Sequence, residues 1–159
     1  MEVFMAILVY LAGGMKSGWQ DKVKEACHDL IIEGVVSFFD PRDNPKEPEK
    51  YRLIDKEKWE EADIIFGYAE SSNPALFAMC IELTGGFYNK ARTIFVDDLR
   101  PESLETPEKI EEEKKRKRYL SFLETVSHKK AAGFMEGISI LRDEIGAMID
   151  SKFTPKQKQ

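Results

Sequence analysis

Four short apolar runs, separated by stretches of helical spacing, constrain this chain more than any other feature. They are Met5–Tyr10, Val35–Phe39, Ile64–Tyr68 and Thr93–Val96. Within each run the apolar residues are continuous. A strand exposed on one face alternates apolar with polar residues, whereas a strand covered on both faces does not. The runs therefore predict an open α/β fold, a parallel sheet with helices on both faces and right-handed crossovers.

The intervening segments supply the helices. Trp19, Val23, Ala26, Cys27, Leu30 and Ile31 fall on one helical face, and Gly34 provides a stop. Asp55–Glu61 reads as a short helix with Trp59 one turn after Asp55. Asn73-Pro74 suits the N-cap and first position of a third helix, which runs to about Leu83 with Leu76, Met79, Cys80, Leu83 and Phe87 as its stripe. A last helix is expected over Ala131–Ile149, with Phe134, Ile138, Leu141, Ile145 and Met148 on one face. Asp40–Lys50 holds three prolines among charges and reads as a loop.

Residues 1–150 are read as one domain and 151–159 as a frayed tail. Within the domain, 101–118 forms a charged linker or insertion. Pro101–Pro107 is the linker, and the run Lys109–Arg118 fits a solvated helix face, a mobile insertion or an anion-binding arm.

Composition narrows the partners. A chain of 159 residues fits one domain, and such a chain buries about 68–70% of its unfolded surface. A net charge of -5 argues against a nucleic-acid polymer as partner. No apolar run approaches the roughly 20 residues of a membrane span. The N-terminus lacks the basic segment of a signal peptide, so a cytoplasmic location is expected. Cys27 and Cys80 read as small buried hydrophobes.

Three short pieces carry the chemistry. Tyr10-Leu11-Ala12-Gly13-Gly14 ends the first run, and Met15-Lys16-Ser17-Gly18 leads to the first helix. In open α/β sheets ligands bind beyond the C-terminal strand ends. Glycines let the backbone approach an anion, with Lys16 and Ser17 as further donors, although a plain tight turn fits the same residues. Glu82 lies in the apolar segment Phe77-Ala-Met-Cys-Ile-Glu-Leu. A carboxylate there is costly unless it is paired, faces a cavity or turns to solvent. Ala75 and Ala78 on its N-terminal side would leave room for a ligand. Asp55 precedes Asp63 by eight residues. Asp55 also fits an N-cap and Asp63 a turn. His28 and His128 have no neighbours at metal-ligand spacing and read as structural or exposed.

Together these pieces resemble the nucleoside 2-deoxyribosyltransferase family, including relatives that hydrolyse 2'-deoxynucleoside 5'-monophosphates. The Tyr10–Gly14 segment resembles the family's first strand and glycine turn. Asp55 to Asp63 reproduces its paired aspartates before the third strand, and Ile81-Glu82-Leu83 resembles the segment that holds the nucleophile. The match spans roughly residues 5–98. Leu76–Ile81 lacks the family's Gly-x-Gly, Thr84 replaces a glycine, and Leu76 stands where transferases often carry an aspartate.

The resemblance implies a flavodoxin-like sheet and a homodimer or larger homo-oligomer with sites near subunit contacts. It implies a nucleoside or nucleotide substrate, with Glu82 as nucleophile, Asp55 on the sugar hydroxyls or the leaving base, and Tyr10 orienting Glu82 or the sugar. Gly13, Gly14, Lys16, Ser17, Asp43 and Trp59 are the expected substrate contacts. Such chemistry needs no metal and no organic cofactor. A non-catalytic nucleotide-binding module on the same fold is the alternative.

Overall fold

A computed structural model of the chain describes residues 5–72, 75–100 and 103–153. It has five parallel strands, β1 (Ile7–Gly13), β2 (Val36–Phe39), β3 (Ile64–Glu70), β4 (Arg92–Asp98) and β5 (Lys129–Ala131), in the order β2-β1-β3-β4-β5. The helices are α1 (Trp19–Ala26), α2 (His28–Ile32), α3 (Pro48–Glu61), α4 (Leu76–Tyr88), α5 (Pro107–Thr125) and α6 (Phe134–Phe153). This is the flavodoxin-like arrangement, whose strand order reverses between β1 and β3.

The sheet separates two cores. On one face Ile7, Val9 and Leu11 of β1 meet Trp19 and Val23 of α1 and Ile138, Leu141 and Ile145 of α6. On the other, Tyr10 and Ala12 lie with Met79 and Leu83 of α4 and Leu123 of α5. Alternation along β1 thus turns Tyr10 toward α4. Two glycines let α4 sit close to the sheet. A Cβ at Gly67 of β3 would lie 2.9 Å from Leu83 Cδ1, and one at Gly86 of α4 would overlap the Ile65 side chain.

Several boundaries differ from the sequence reading. β1 starts at Ile7, and Met5 is exposed. The expected helix across Trp19–Ile31 breaks at Cys27, whose N–H is shared between the Val23 and Lys24 carbonyls. Arg142 of α6 takes the Ala26 carbonyl at 2.8 Å and holds Asp29 through two further bonds. That carbonyl would accept from Leu30 in an unbroken helix.

α3 begins at Pro48, where a proline costs no hydrogen bond. Asp55 is therefore a mid-helix residue and not an N-cap. Asn73 and Pro74 lie outside the described residues, as do Pro101 and Glu102, and α4 starts after Ala75, whose φ is 44°. The charge run forms the first part of α5, capped by Thr106, while Leu123 fixes its other end in the core.

β5 was not expected. Its three residues are too short and too basic to register as an apolar run, and Lys is common on sheet edges. Thr93 and His128 hold it in place. His128 Nδ1 accepts from the Thr93 N–H at 3.0 Å, and the His128 N–H donates to the Thr93 carbonyl at 2.9 Å. Ala131 therefore belongs to β5, and α6 starts at Phe134. α6 continues to Phe153, so Ser151–Phe153 are helical, and residues 154–159 lie outside the described region. The apolar stripe of α6 is buried against the sheet of its own chain, so this helix gives no ground for an oligomer. No helix among the described residues is long and apolar enough to cross a membrane.

Candidate active site

The crevice at the β1/β3 strand reversal is where an open α/β sheet accepts ligands. Here it is lined by the β1–α1 turn, the β2–α3 loop, α3 and α4, and encloses about 480 Å³. That lies in the range of small-molecule sites, about 300–1,000 Å³. Gly13, Gly14, Met15 and Lys16 form one wall, Arg42, Asn44 and Lys46 another, and Asp55, Ala78 and Glu82 the floor. A second cleft of about 360 Å³ adjoins it, lined by Tyr51, Arg52, Asp55, Trp59, Phe77, Ala78, Ile81 and Glu82. Asp55 and Glu82 face both.

The two carboxylates meet at one hydroxyl. Tyr10 is fully buried, and its hydroxyl donates to Glu82 Oε1 at 2.9 Å. Asp55 lies near enough for its charge to act on the same hydroxyl. Asn44 Nδ2 donates to Asp55 Oδ1 at 2.5 Å. Glu82 Oε2 is buried without a hydrogen-bond partner among the described residues. A buried carboxylate oxygen left unpaired is rare and costly, and it marks a candidate for function.

The electrostatics follow from this burial. Loss of solvation pushes the Glu82 carboxyl up to about 8; the Tyr10 hydrogen bond opposes this, and the Asp55 charge adds to it. Desolvation also raises Asp55, against hydrogen bonds from Asn44 and Tyr10. Burial and the two carboxylates push the Tyr10 phenol far up, so it stays a neutral donor. Two carboxyls beside one donor favour a state in which the pair shares a proton.

The walls are fixed by their own contacts. Trp19 Nε1 and Gln20 Nε2 both donate to the Gly14 carbonyl, at 2.7 and 3.0 Å. Asp40, buried at the end of β2, accepts from Lys24 and Arg42, and Arg42 reaches on to Asp21. Desolvation works against the Asp40 carboxylate, but the hydrogen bonds from Arg42 and Lys24 outweigh it and hold its pKa below the usual range.

Gly13 sets the turn. Its φ is +149°, and a Cβ there would lie 2.5 Å from the Tyr68 carbonyl oxygen. We expect Gly13→Ala to cost about 2–4 kcal/mol, from backbone strain and overpacking combined. Thermal melting should fall by about 5–15 °C, and a loss below about 2 °C would show that the turn tolerates a side chain.

Most sequence-derived candidates converge here. Tyr10, Asp55 and Glu82 come together, Gly13, Gly14 and Lys16 line the larger cleft, and Trp59 lines the smaller. Ser17 and Asp43 are exposed and line neither. Asp63 is a staple between strands, its Oδ2 accepting from the Leu8 N–H at 2.8 Å.

Asn44, Tyr51, Arg52, Phe77 and Ile81 were missed. A signal for Tyr51 existed: it precedes Asp55 by four residues, as Asp55 precedes Trp59, which puts all three on one helical face. It is visible only once α3 is known to start at Pro48. A separate cavity of about 380 Å³ between α4 and α5 holds Glu112 and Glu113 from the charged helix, with Glu113 paired to Arg116. Among the described residues no cluster of three or more His, Cys, Asp or Glu could hold a metal ion.

No protein-family model matches the chain, and no curated protein sequence matches it. Solved structures similar to it include the following two. A conserved protein from Enterococcus faecalis V583 superposes with a TM-score of 0.59 at 12% identity, covering 90% of this chain and 99% of that one. The CMP N-glycosidase BcmB of Clostridium botulinum superposes with a TM-score of 0.45 at 16% identity, covering 85% and 98%. The first likeness is one of fold.

Proposed function

We propose that this chain cleaves the N-glycosidic bond of a nucleoside or nucleotide through a glycosyl-enzyme on Glu82. The observation that carries the reading is the pair of cleft carboxyls, Glu82 and Asp55, gathered around the buried Tyr10 hydroxyl. The pattern of Asp55, Asp63 and Glu82 along the chain, which resembles the nucleoside 2-deoxyribosyltransferase family, supports it further.

The chemistry uses both carboxyls. The ionised Glu82 attacks the anomeric carbon, and the carbon–nitrogen bond breaks with its electron pair going to the base. Protonated Asp55 supplies the proton the departing nitrogen needs. The anomeric carbon passes through an oxocarbenium-like state and closes as an ester to Glu82. Water then attacks the same carbon, the ester oxygen leaves as the Glu82 carboxylate, and Asp55 takes the proton from water. A second base in place of water gives transfer. The neutral Tyr10 hydroxyl holds Glu82 Oε1 throughout, which fixes the carboxylate plane.

The test is a panel of ribo- and deoxyribonucleosides and their 5'-monophosphates, assayed for free base with and without a second base. Mass spectrometry of the quenched protein with a 2-fluoro sugar analogue should show one added glycosyl group, mapped to the peptide containing Glu82. Binding without base release or adduct would support the nucleotide-binding module instead. The resemblance also implies a homodimer or larger assembly, which remains part of the proposal.

A further inference from the structure

The two cleft carboxyls are each held by one neutral donor brought from a different segment. Tyr10 of β1 holds Glu82 Oε1, and Asn44 of the loop after β2 holds Asp55 Oδ1 at 2.5 Å. Tyr10 is fixed by the core, where it is fully buried and stacks on Phe39. Asn44 lies in a loop, so its position needs another source. Pro41–Asp43 form a single 3-10 turn, and the Asn44 N–H closes it by donating to the Pro41 carbonyl at 3.2 Å. Asp40 pins that turn. Its carboxylate, on a residue only 2% exposed, accepts from the Arg42 backbone and side chain and from Lys24 of α1. Arg42 also bonds Asp21 of α1. Such charge-assisted bonds are stronger and more directional than neutral ones, so they fix where the loop delivers its next side chain.

We propose that Asn44 is a positioning residue for Asp55, its amide keeping Oδ1 an acceptor so that the proton destined for the departing base is carried on Oδ2. Asp55's part as the acid rests on the proposed reaction; the hold on its Oδ1 is testable without turnover. A carboxyl whose one oxygen accepts a hydrogen bond as a carbonyl carries its proton on the other. The same donor favours the ionised form of Asp55, against the desolvation that raises this carboxyl. It therefore makes Asp55 the readier acid. The other ionisable groups around Asp55 are Tyr10 from β1, Lys16 from the glycine turn, Arg42 and Lys46 from the β2–α3 loop, Tyr51 and Arg52 from α3, and Glu82 from α4. Of these, Arg42 is bound to Asp40 and Asp21, and Tyr10 to Glu82.

The Asp55 carboxyl can be followed in ¹³C spectra of the full chain, its signal assigned with Asp55→Asn. Asn44→Ala should raise its apparent titration midpoint by about one pH unit, the scale of one lost hydrogen bond to a charged group. In base-release assays Asn44→Ala should lower kcat roughly 10–100-fold, the cost of a misplaced reacting group, and leave KM nearly unchanged. Asn44→Asp separates the hold on Asp55 from the shape of the loop. It keeps the size of the side chain, and only its protonated form can donate. Its deficit against wild type should shrink as pH falls, whereas a loop disturbed in shape would lose the same factor at every pH.

An unmoved midpoint in folded Asn44→Ala, an unchanged kcat, a raised KM alone, or a pH-independent deficit in Asn44→Asp would overturn the assignment and leave the proposed reaction standing. A raised midpoint in a chain that releases no base would sink the reaction and keep the hold of Asn44 on Asp55.

Discussion

Glu82→Ala is expected to reduce base release by about 10⁴-fold or more, the scale seen when a covalent nucleophile is removed. No other carboxylate occupies its place. Asp55 lies on a different helix, and the Tyr10 phenol is held neutral by burial. The fold should persist, because alanine is the best helix former and Glu82 makes one hydrogen bond, to Tyr10.

Glu82→Gln separates the chemistry from the burial. The folded state raises this carboxyl from 4.5 to about 8. The stability linked to it is therefore fully present below about pH 4.5 and lost as pH rises toward 8. The slope within that window is at most about 1.4 kcal/mol per pH unit. Glu82→Gln should abolish that slope and be the more stable protein at pH 8, while remaining inactive. Urea melts at several pH values, run beside base-release assays, decide the matter. Wild-type turnover in a folded Glu82→Ala protein would remove the mechanism.

Asp55→Asn is expected to slow turnover by roughly 10²–10⁴, the range of lost acid–base assistance. Its pH dependence should also invert. On the proposed mechanism the wild-type reaction needs one proton on the pair, with Asp55 protonated and Glu82 ionised. Above the upper apparent pKa, near 8, that proton is gone and kcat/KM falls. The variant has no proton to give, and its residual rate needs only an ionised Glu82. Its kcat/KM should therefore rise with pH across the same region. A substrate whose base departs as a stable anion should be affected least. If both proteins fall together above pH 8, Asp55 has no role in proton transfer, and sugar binding is its remaining part.

The sheet was readable because β1, β3 and β4 are covered on both faces and so are nearly unbroken apolar runs, and β2, at the sheet edge with Ser37 exposed, still carries three apolar residues in four. β5 was not, since Lys129 and Lys130 at a sheet edge carry no apolar signal; its place depends on Thr93 and His128, which are distant in sequence. The break at Cys27 was invisible for the same reason, because Arg142 reaches Ala26 from the last helix.

Within the site, Glu82 stood out as a carboxylate inside an apolar segment, and Tyr10 through the resemblance of the Tyr10–Gly14 strand end to the family's. The walls did not stand out. Asn44 and Arg42 look like ordinary loop residues until Asp55 and Asp40 are placed beside them. Ser17 is a fitting donor in the glycine loop and Asp43 lies in the loop after β2, but residue type and loop alone do not say which way a side chain faces, and both are exposed.

The location of Tyr10 in the middle of β1, packed between the sheet and α4, bears on how such a protein can diversify. The groups gathered at the carboxylates are anchored in elements that also build the molecule, so mutations that disturb them are selected against twice. The rim of the cleft is different: exposed positions such as Lys46 and those on α3 and α4 can change with little effect on folding. New ligands are thus open to the chain by drift at the rim, with the carboxylate pair and its tyrosine inherited unchanged.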